Sequence, residues 1–140
     1  NFVNYALGDG EVHKLKICAQ FGMNSLLDPK MDSLSMFPAF AKWSTVNSKM
    51  LVQTKRLDEV SEARNASFAK IDVQGAEKMI LENGLSVLNG LSLLQIECSP
   101  IPLYRSYDLA MKALDVLDSR DNGSRVSDYK LYLDTAGLAA

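Results

Sequence analysis

The alternation of hydrophobic and polar residues near the start of the chain predicts two β-strands. Residues 2–7 (FVNYAL) are rich in strand-forming side chains, and in residues 12–19 the side chains of His13, Leu15 and Ile17 share one face. The residues between the two segments, GDGE, tolerate tight turns. We therefore predict a β-hairpin or a pair of sheet-edge strands, with His13, the only histidine, as a sheet-face residue rather than a general base.

The next part of the chain, residues 20–48, has weak periodicity and is rich in Ser, Asn and Pro. It predicts an irregular loop with a short helical piece near Phe37–Trp43. A loop of this length in a compact domain usually forms a lid or a binding loop. A further strand is predicted at Lys49–Lys55, and Asp58 follows it in a position to cap a short helix.

A mostly apolar run at Ser67–Val73 is typical of a strand that is covered on both faces, as in a parallel sheet. Gly75 predicts a tight turn after this strand, and residues 76–83 have the pattern of a helix. Gly84 follows that helix, where a glycine in the left-handed conformation commonly ends a helix.

The remaining pattern repeats the alternation of strand and helix. A second apolar strand is predicted at Leu91–Cys98, an amphipathic helix at 107–119, and a last alternating strand at 126–133. Strand, helix, strand, helix, strand form a pair of βαβ units, which predicts a parallel sheet and the α/β class.

Composition and charge narrow the possible functions. The chain has 140 residues, which predicts a single domain over residues 1–140, and its net charge is −2 with scattered basic residues. We therefore expect no nucleic-acid partner, and the apolar runs are too short for a membrane span. Two cysteines, Cys18 and Cys98, cannot form a disulfide framework and are typical of a reduced, cytoplasmic protein.

Three acidic residues fall where ligands collect in open α/β sheets, beyond the carboxyl ends of the strands. Asp72 ends one predicted strand, Glu77 stands in the first turn of the following helix, and Glu97 ends the next strand. If the two strands are neighbours, Asp72 and Glu97 lie about 5 Å apart. Carboxylates that close perturb each other, so one of them could hold a proton near neutral pH and act as a base.

Each of these residues also has a structural interpretation. The helix dipole favours Glu77 in a first helical turn whatever its function, and Asp72 could bond the backbone of the turn at Gly75. A charge in an otherwise buried strand needs a partner, which favours a functional Asp72. A carboxylate site for a cation, built from Asp72, Glu77 and Glu97, is a weaker alternative.

Three blocks of the sequence, VQTKRLDEV, KIDVQGAEKMILENG and LLQIECSP, resemble the FkbM-type methyltransferases. The block at 70–77 is the most specific of the three. Gln74 departs from the family pattern, which commonly has Glu there. The matching positions are Leu57, Asp58, Lys70, Asp72, Gly75, Glu77, Gly84 and Glu97.

The resemblance implies a Rossmann-like, S-adenosylmethionine-dependent methyltransferase that acts on a small-molecule hydroxyl acceptor, typically a sugar or a secondary metabolite. By this resemblance Asp72 and Glu97 are the predicted catalytic residues, which orient or deprotonate the hydroxyl. Asp72 and Gly75 are the predicted contacts of the cofactor, S-adenosyl-L-methionine, and Glu77 is the predicted substrate-binding residue.

Parts of the family pattern have no counterpart in the sequence. These are the first strand with its glycine-rich loop and the acidic residue that grips the adenosine ribose. We therefore expect an incomplete Rossmann-like sheet with an extra β-hairpin near the N-terminus, in a fragment that is inactive alone. The alternative is a non-catalytic α/β module that self-associates through an exposed sheet edge.

Overall fold

The computed structural model describes residues 3–97, 99 and 101–105, which form a mixed α/β structure with small sheets. The predicted helix at 107–119 and strand at 126–133 lie outside these residues. None of the described helices is long and apolar enough to cross a membrane. The strands are β1 (Ala6–Leu7), β2 (Val12–Cys18), β3 (Val46–Lys55), β4 (Phe68–Ile71) and β5 (Leu93–Ile96), and the α-helices are α1 (Met31–Leu34), α2 (Pro38–Trp43), α3 (Glu77–Glu82) and α4 (Leu85–Asn89).

The first sheet has β3 at its centre, with β1 parallel to it on one side and β2 antiparallel to it on the other. The predicted hairpin of β1 with β2 is therefore wrong, and its alternative, two sheet-edge strands, describes them, because they lie at the two edges of this sheet. The turn between them is bound to β3: the Thr54 hydroxyl accepts from the Gly10 amide at 3.1 Å and donates to the Glu11 carbonyl at 2.7 Å. These bonds hold the turn across the end of β3, so its flanking strands lie on opposite sides of that strand.

The long segment between β2 and β3 follows the prediction of an irregular loop with a short helix. Its helix α2 begins at Pro38, a residue whose fixed φ suits the first helical position. The loop is tied to β2 by backbone hydrogen bonds between Lys16 and Ser25, at 2.8 and 3.3 Å. The Ser25 hydroxyl then donates to the Gln74 carbonyl at 2.7 Å, which joins this loop to the turn at Gly75.

The second sheet consists of β4 and β5, which pair in parallel with Phe68 opposite Leu93 and Ile71 opposite Ile96. The chain passes between them through α3 and α4, so the first predicted βαβ unit is confirmed. One face packs on these helices. The other face leaves the Phe68 side chain 50% and the Leu93 side chain 59% exposed, so among the described residues the prediction of cover on both faces is wrong.

The helices and the second sheet enclose a hydrophobic core of Leu57, Ile71, Ile80, Leu81, Val87 and Leu88. Asp58 does not cap its own short helix; its carboxylate accepts from the Ser86 and Val87 amides, at 3.1 and 2.9 Å, and so caps α4. Gly84 is not left-handed, since its φ is −135°. Close packing explains the glycine, because a Cβ there would lie 2.7 Å from Leu57 Cδ2.

Candidate functional site

The turn between β4 and α3 has an unusual backbone. Gln74 has a φ of 55° and Gly75 a φ of 101°, so two successive residues lie in the left-handed region. The prediction that Gly75 makes the turn is confirmed. A Cβ at Gly75 would lie 2.9 Å from Tyr104 Cδ2, so the packing of Tyr104 also demands a glycine. Gln74 has no such freedom and needs stabilising contacts to remain in this conformation.

Glu77 closes this turn from inside. Its Oε1 accepts from the backbone amides of Val73 and Gly75, each at 3.1 Å, and the residue is only 5% exposed. Burial raises the pKa of Glu77, while the two amide hydrogen bonds oppose that rise. The geometry therefore makes Glu77 the residue that holds the turn, and its predicted contact with substrate stays a prediction.

Asp72 and Glu97 follow the ends of β4 and β5, which the sequence pattern led us to place side by side. The parallel register continues past Ile71, whose carbonyl accepts from the Glu97 amide at 3.0 Å. The Gln74 Nε2 donates to Asp72 Oδ1 at 3.3 Å and to Glu97 Oε2 at 3.4 Å. One side-chain amide thus bridges the two carboxyl groups at the carboxyl edge of the sheet.

The two carboxyl groups have opposite pKa shifts. A hydrogen bond from Glu97, together with the Lys70 ammonium at 2.7 Å, lowers the pKa of Asp72. The same hydrogen bond to Asp72, with burial second, raises the pKa of Glu97 to about 7. Near neutral pH, Asp72 is therefore charged and Glu97 is the group that takes up or releases a proton.

A shallow pocket of about 290 Å³, including the space at its open mouth, lies beside Glu97. Most of this volume is open to solvent, and the enclosed space is far smaller than the roughly 300–1,000 Å³ of small-molecule sites. Asp72 is outside the lining, where it contacts Lys70. The lining residues are Gln74, Gly75, Glu77, Glu97, Ser99, Leu103 and Tyr104.

Tyr104 forms the buried wall of this pocket. Only 3% of the residue is exposed, and its hydroxyl donates to Gln74 Oε1 at 2.9 Å. Burial raises the pKa of Tyr104, so the phenol stays protonated and remains a donor. Sequence reasoning missed Tyr104, because a tyrosine after a proline-containing break has no periodic signal. It noted Gln74 only as a departure from the family pattern.

The remaining candidates do not join this pocket. His13 pairs with Asp9 at 2.8 Å beside the turn from β1 to β2, on the first sheet. Cys18 is a free, buried cysteine, and Cys98 lies outside the described residues. In the part of the chain that the structure describes, no group of three or more His, Cys, Asp or Glu side chains is arranged to hold a metal.

Comparison with known protein families shows which family the chain belongs to. The sequence matches the methyltransferase FkbM domain over residues 1–126, which is most of the chain. Comparison with curated proteins and with solved structures gave no significant match. The match includes the turn at Gly75 and both acidic strand ends, and it shows that the chain belongs to the FkbM methyltransferase family.

Proposed function

We propose that this chain forms the acceptor side of an S-adenosylmethionine-dependent methyltransferase site and that the reaction is O-methylation of a sugar or secondary-metabolite hydroxyl. Membership of the FkbM family supports methyl transfer, and S-adenosylmethionine is the typical donor in that family. One observation carries the choice of a hydroxyl acceptor: the carboxyl group of Glu97 lines the pocket next to Asp72, whose hydrogen bond raises the pKa of Glu97 to about 7. A hydroxyl nucleophile needs such a base close to it.

The residues present fit one end of this cofactor. Asp72, which stays charged, offers negative charge to its cationic sulfonium and ammonium groups, and Gly75 leaves the wall of the pocket free of a side chain. When bound, the cofactor supplies an electrophilic methyl group. The one Gly-x-Gly of the sequence, Gly8-Asp9-Gly10, is followed by β2 and not by a helix, so it is not the strand, loop and helix arrangement that binds the phosphate or ribose end of nucleotide ligands.

Separate protein groups orient the acceptor, accept its proton and exclude water. Asp72 stays charged beside Lys70 and orients the acceptor, while Glu97 takes the proton of the acceptor hydroxyl. Leu103 and Tyr104 form the apolar wall that limits water at the hydroxyl. Because methyl transfer is a direct displacement, fixing the hydroxyl in line provides much of the rate. Glu77 lines the same pocket, and its contact with the acceptor is part of the proposal.

We expect the 140-residue chain alone to bind S-adenosylmethionine only weakly, because it lacks the glycine-rich loop. Isothermal titration calorimetry measures this affinity directly. A micromolar Kd would show that these 140 residues already contain the contacts to the adenosine, and the expectation of weak binding would be wrong. The activity itself is tested in the protein as its gene encodes it, by transfer of a labelled methyl group to a panel of sugars and hydroxylated metabolites. Absence of transfer to every hydroxyl compound, with transfer to amines instead, would overturn O-methylation.

The second candidate is an association module, favoured by the open face of the second sheet. Within the described residues β4 and β5 pair only with each other, and Phe68 stands opposite Leu93 on that face. Exposed strand edges and apolar side chains promote pairing between chains. Sedimentation at high concentration should then show a dimer that the double variant Phe68→Ser, Leu93→Ser converts to a monomer. A monomeric unmodified chain would exclude this candidate.

A further inference from the structure

Gln74 makes four hydrogen bonds that connect the separate parts of the site. Its Nε2 donates to Asp72 and Glu97, at 3.3 and 3.4 Å, and its Oε1 accepts from the Tyr104 hydroxyl at 2.9 Å. Its backbone carbonyl accepts from the Ser25 hydroxyl at 2.7 Å. The side chain therefore lies between a buried phenol and two carboxyl groups, and the loop before β3 holds its backbone.

The backbone conformation of Gln74 indicates that its side chain has a specific role. With a φ of 55°, the residue is in the left-handed region, which glycine and asparagine adopt more readily than other residues. Local conformation alone therefore favours glycine or asparagine at this position. The contribution that glutamine alone can make is an amide long enough to reach both carboxyl groups.

We propose that Gln74 is a positioning residue, which holds the carboxyl groups of Asp72 and Glu97 together and so sets the pH at which Glu97 gains and loses its proton. The Tyr104 hydroxyl takes the amide oxygen, which directs the amide N–H groups to the carboxyl groups. Asp72 and Glu97 are both exposed, and their direct hydrogen bond is lost once Glu97 gives up its proton, so the Gln74 amide is the contact that still joins the two like charges. The consequence for methyl transfer rests on the proposed function; the positioning itself does not.

The surroundings of Glu97 make its titration a specific measurement. The charged or titratable groups around it are Asp72, Glu77, Lys70 and Tyr104. Asp72 and Lys70 form an ion pair with the pKa of Asp72 lowered, and burial keeps the Tyr104 phenol protonated. Glu77 is buried, and both amides of the turn bind its carboxylate. Burial also raises the pKa of Glu77, so the Glu97 midpoint is read from the assigned signal of the Glu97 carboxyl carbon and not from the site as a whole.

The test is a pH titration of the side-chain carboxyl carbons by ¹³C NMR, in the unmodified chain and in the variants Gln74→Gly and Gln74→Asn. Both variants suit the left-handed backbone, and neither side chain reaches both carboxyl groups. We expect the Glu97 midpoint to fall from about 7 by at least about one unit towards the ordinary glutamate value. Gln53→Asn, on an exposed glutamine of β3 whose amide bonds Gly10, is the matched control and should leave the midpoint unchanged.

An unchanged or raised Glu97 midpoint in both Gln74 variants would overturn the proposal. If their melting temperatures fell at the same time, Gln74 would contribute to stability but would not position the carboxyl groups. If one variant does not fold, the other decides. In the protein as its gene encodes it, the acidic limb of the methyl-transfer pH profile should shift to lower pH by the same amount as the Glu97 midpoint. If that protein transfers no methyl group, the proposed function is wrong, while the titration still tests whether Gln74 positions the two carboxyl groups.

Discussion

Replacing Glu97 by glutamine is expected to lower the rate of methyl transfer by about 10²–10⁴-fold, the usual contribution of a general base. Glutamine has nearly the same size and keeps a hydrogen-bonding side chain at the end of β5, but it cannot take a proton. Glu97 is exposed, so the substitution should leave the fold intact. The measurement is kcat at neutral pH with labelled S-adenosylmethionine and the best acceptor from the panel of hydroxyl compounds.

The pH dependence of methyl transfer tests the role of Glu97 more specifically than the rate at one pH. A base must be deprotonated to act, and the pKa of Glu97 is about 7, so the unmodified protein should gain activity as the pH rises through that value. The Glu97→Gln variant should lose this limb of the profile. Glu82→Gln, on an exposed glutamate that ends α3, is the control and should behave as the unmodified protein. An unchanged rate in Glu97→Gln would remove Glu97 from the chemistry.

Substitution of Asp72 in the same assay separates the two carboxyl groups. Asp72→Ala should reduce turnover sharply, because the charge that orients the acceptor is lost. It also removes the main cause of the raised pKa of Glu97, so the residual activity should have its acidic limb at lower pH. Unchanged activity in Asp72→Ala would exclude Asp72 from the site. If the acidic limb of the pH profile stayed near pH 7, Asp72 would not be the cause of the raised pKa of Glu97.

The sequence predicted the unit around Gly75 well because its determinants are local. An apolar run, a glycine and a helical pattern follow one another within residues 67–83, and the structure has β4, the turn and α3 there. Asp72 and Glu97 were placed at one sheet edge by a rule of topology: parallel neighbouring strands bring their carboxyl ends together. That rule needed only the identification of two strands with a helix between them.

The predicted hairpin and the missed contacts of Gln74 have a common physical origin, because in both cases a residue far along the chain determined the structure. The predicted hairpin did not form because Thr54 binds the turn at Gly10, which is 44 positions away along the chain. Gln74 is bonded by Tyr104, 30 positions away, and by Ser25, 49 positions away. Alternation and turn propensity carry no information on such pairs. The sequence therefore predicted the acidic strand ends but not the amide and the phenol that position them.

Substituting Glu77 is expected to have the largest effect on stability, because this side chain holds the turn on which the site depends. Glu77→Ala removes the acceptor of the Val73 and Gly75 amides and leaves a cavity under residues that are themselves half-buried. Losing the partner of two such donors should lower the free energy of unfolding by about 2 kcal/mol or more. Urea unfolding followed by circular dichroism measures this, with Glu82→Ala on the exposed face of α3 as the control.

Glu77→Gln separates the hydrogen bonds of this residue from its charge. The glutamine oxygen can still accept from both amides, so at acidic pH this variant should lose much less stability than Glu77→Ala. Burial raises the pKa of Glu77 above the ordinary 4.5, so in the unmodified chain the stability contributed by the protonated form is complete below that pH. It is lost as the pH rises through the raised pKa. Glutamine does not titrate, so the stability of Glu77→Gln relative to the unmodified chain should improve over the same rise in pH. Equal losses in Glu77→Ala and Glu77→Gln at every pH would show that the amide contacts of Glu77 do not hold the turn, and the positions of Gln74 and Gly75 would then need another cause.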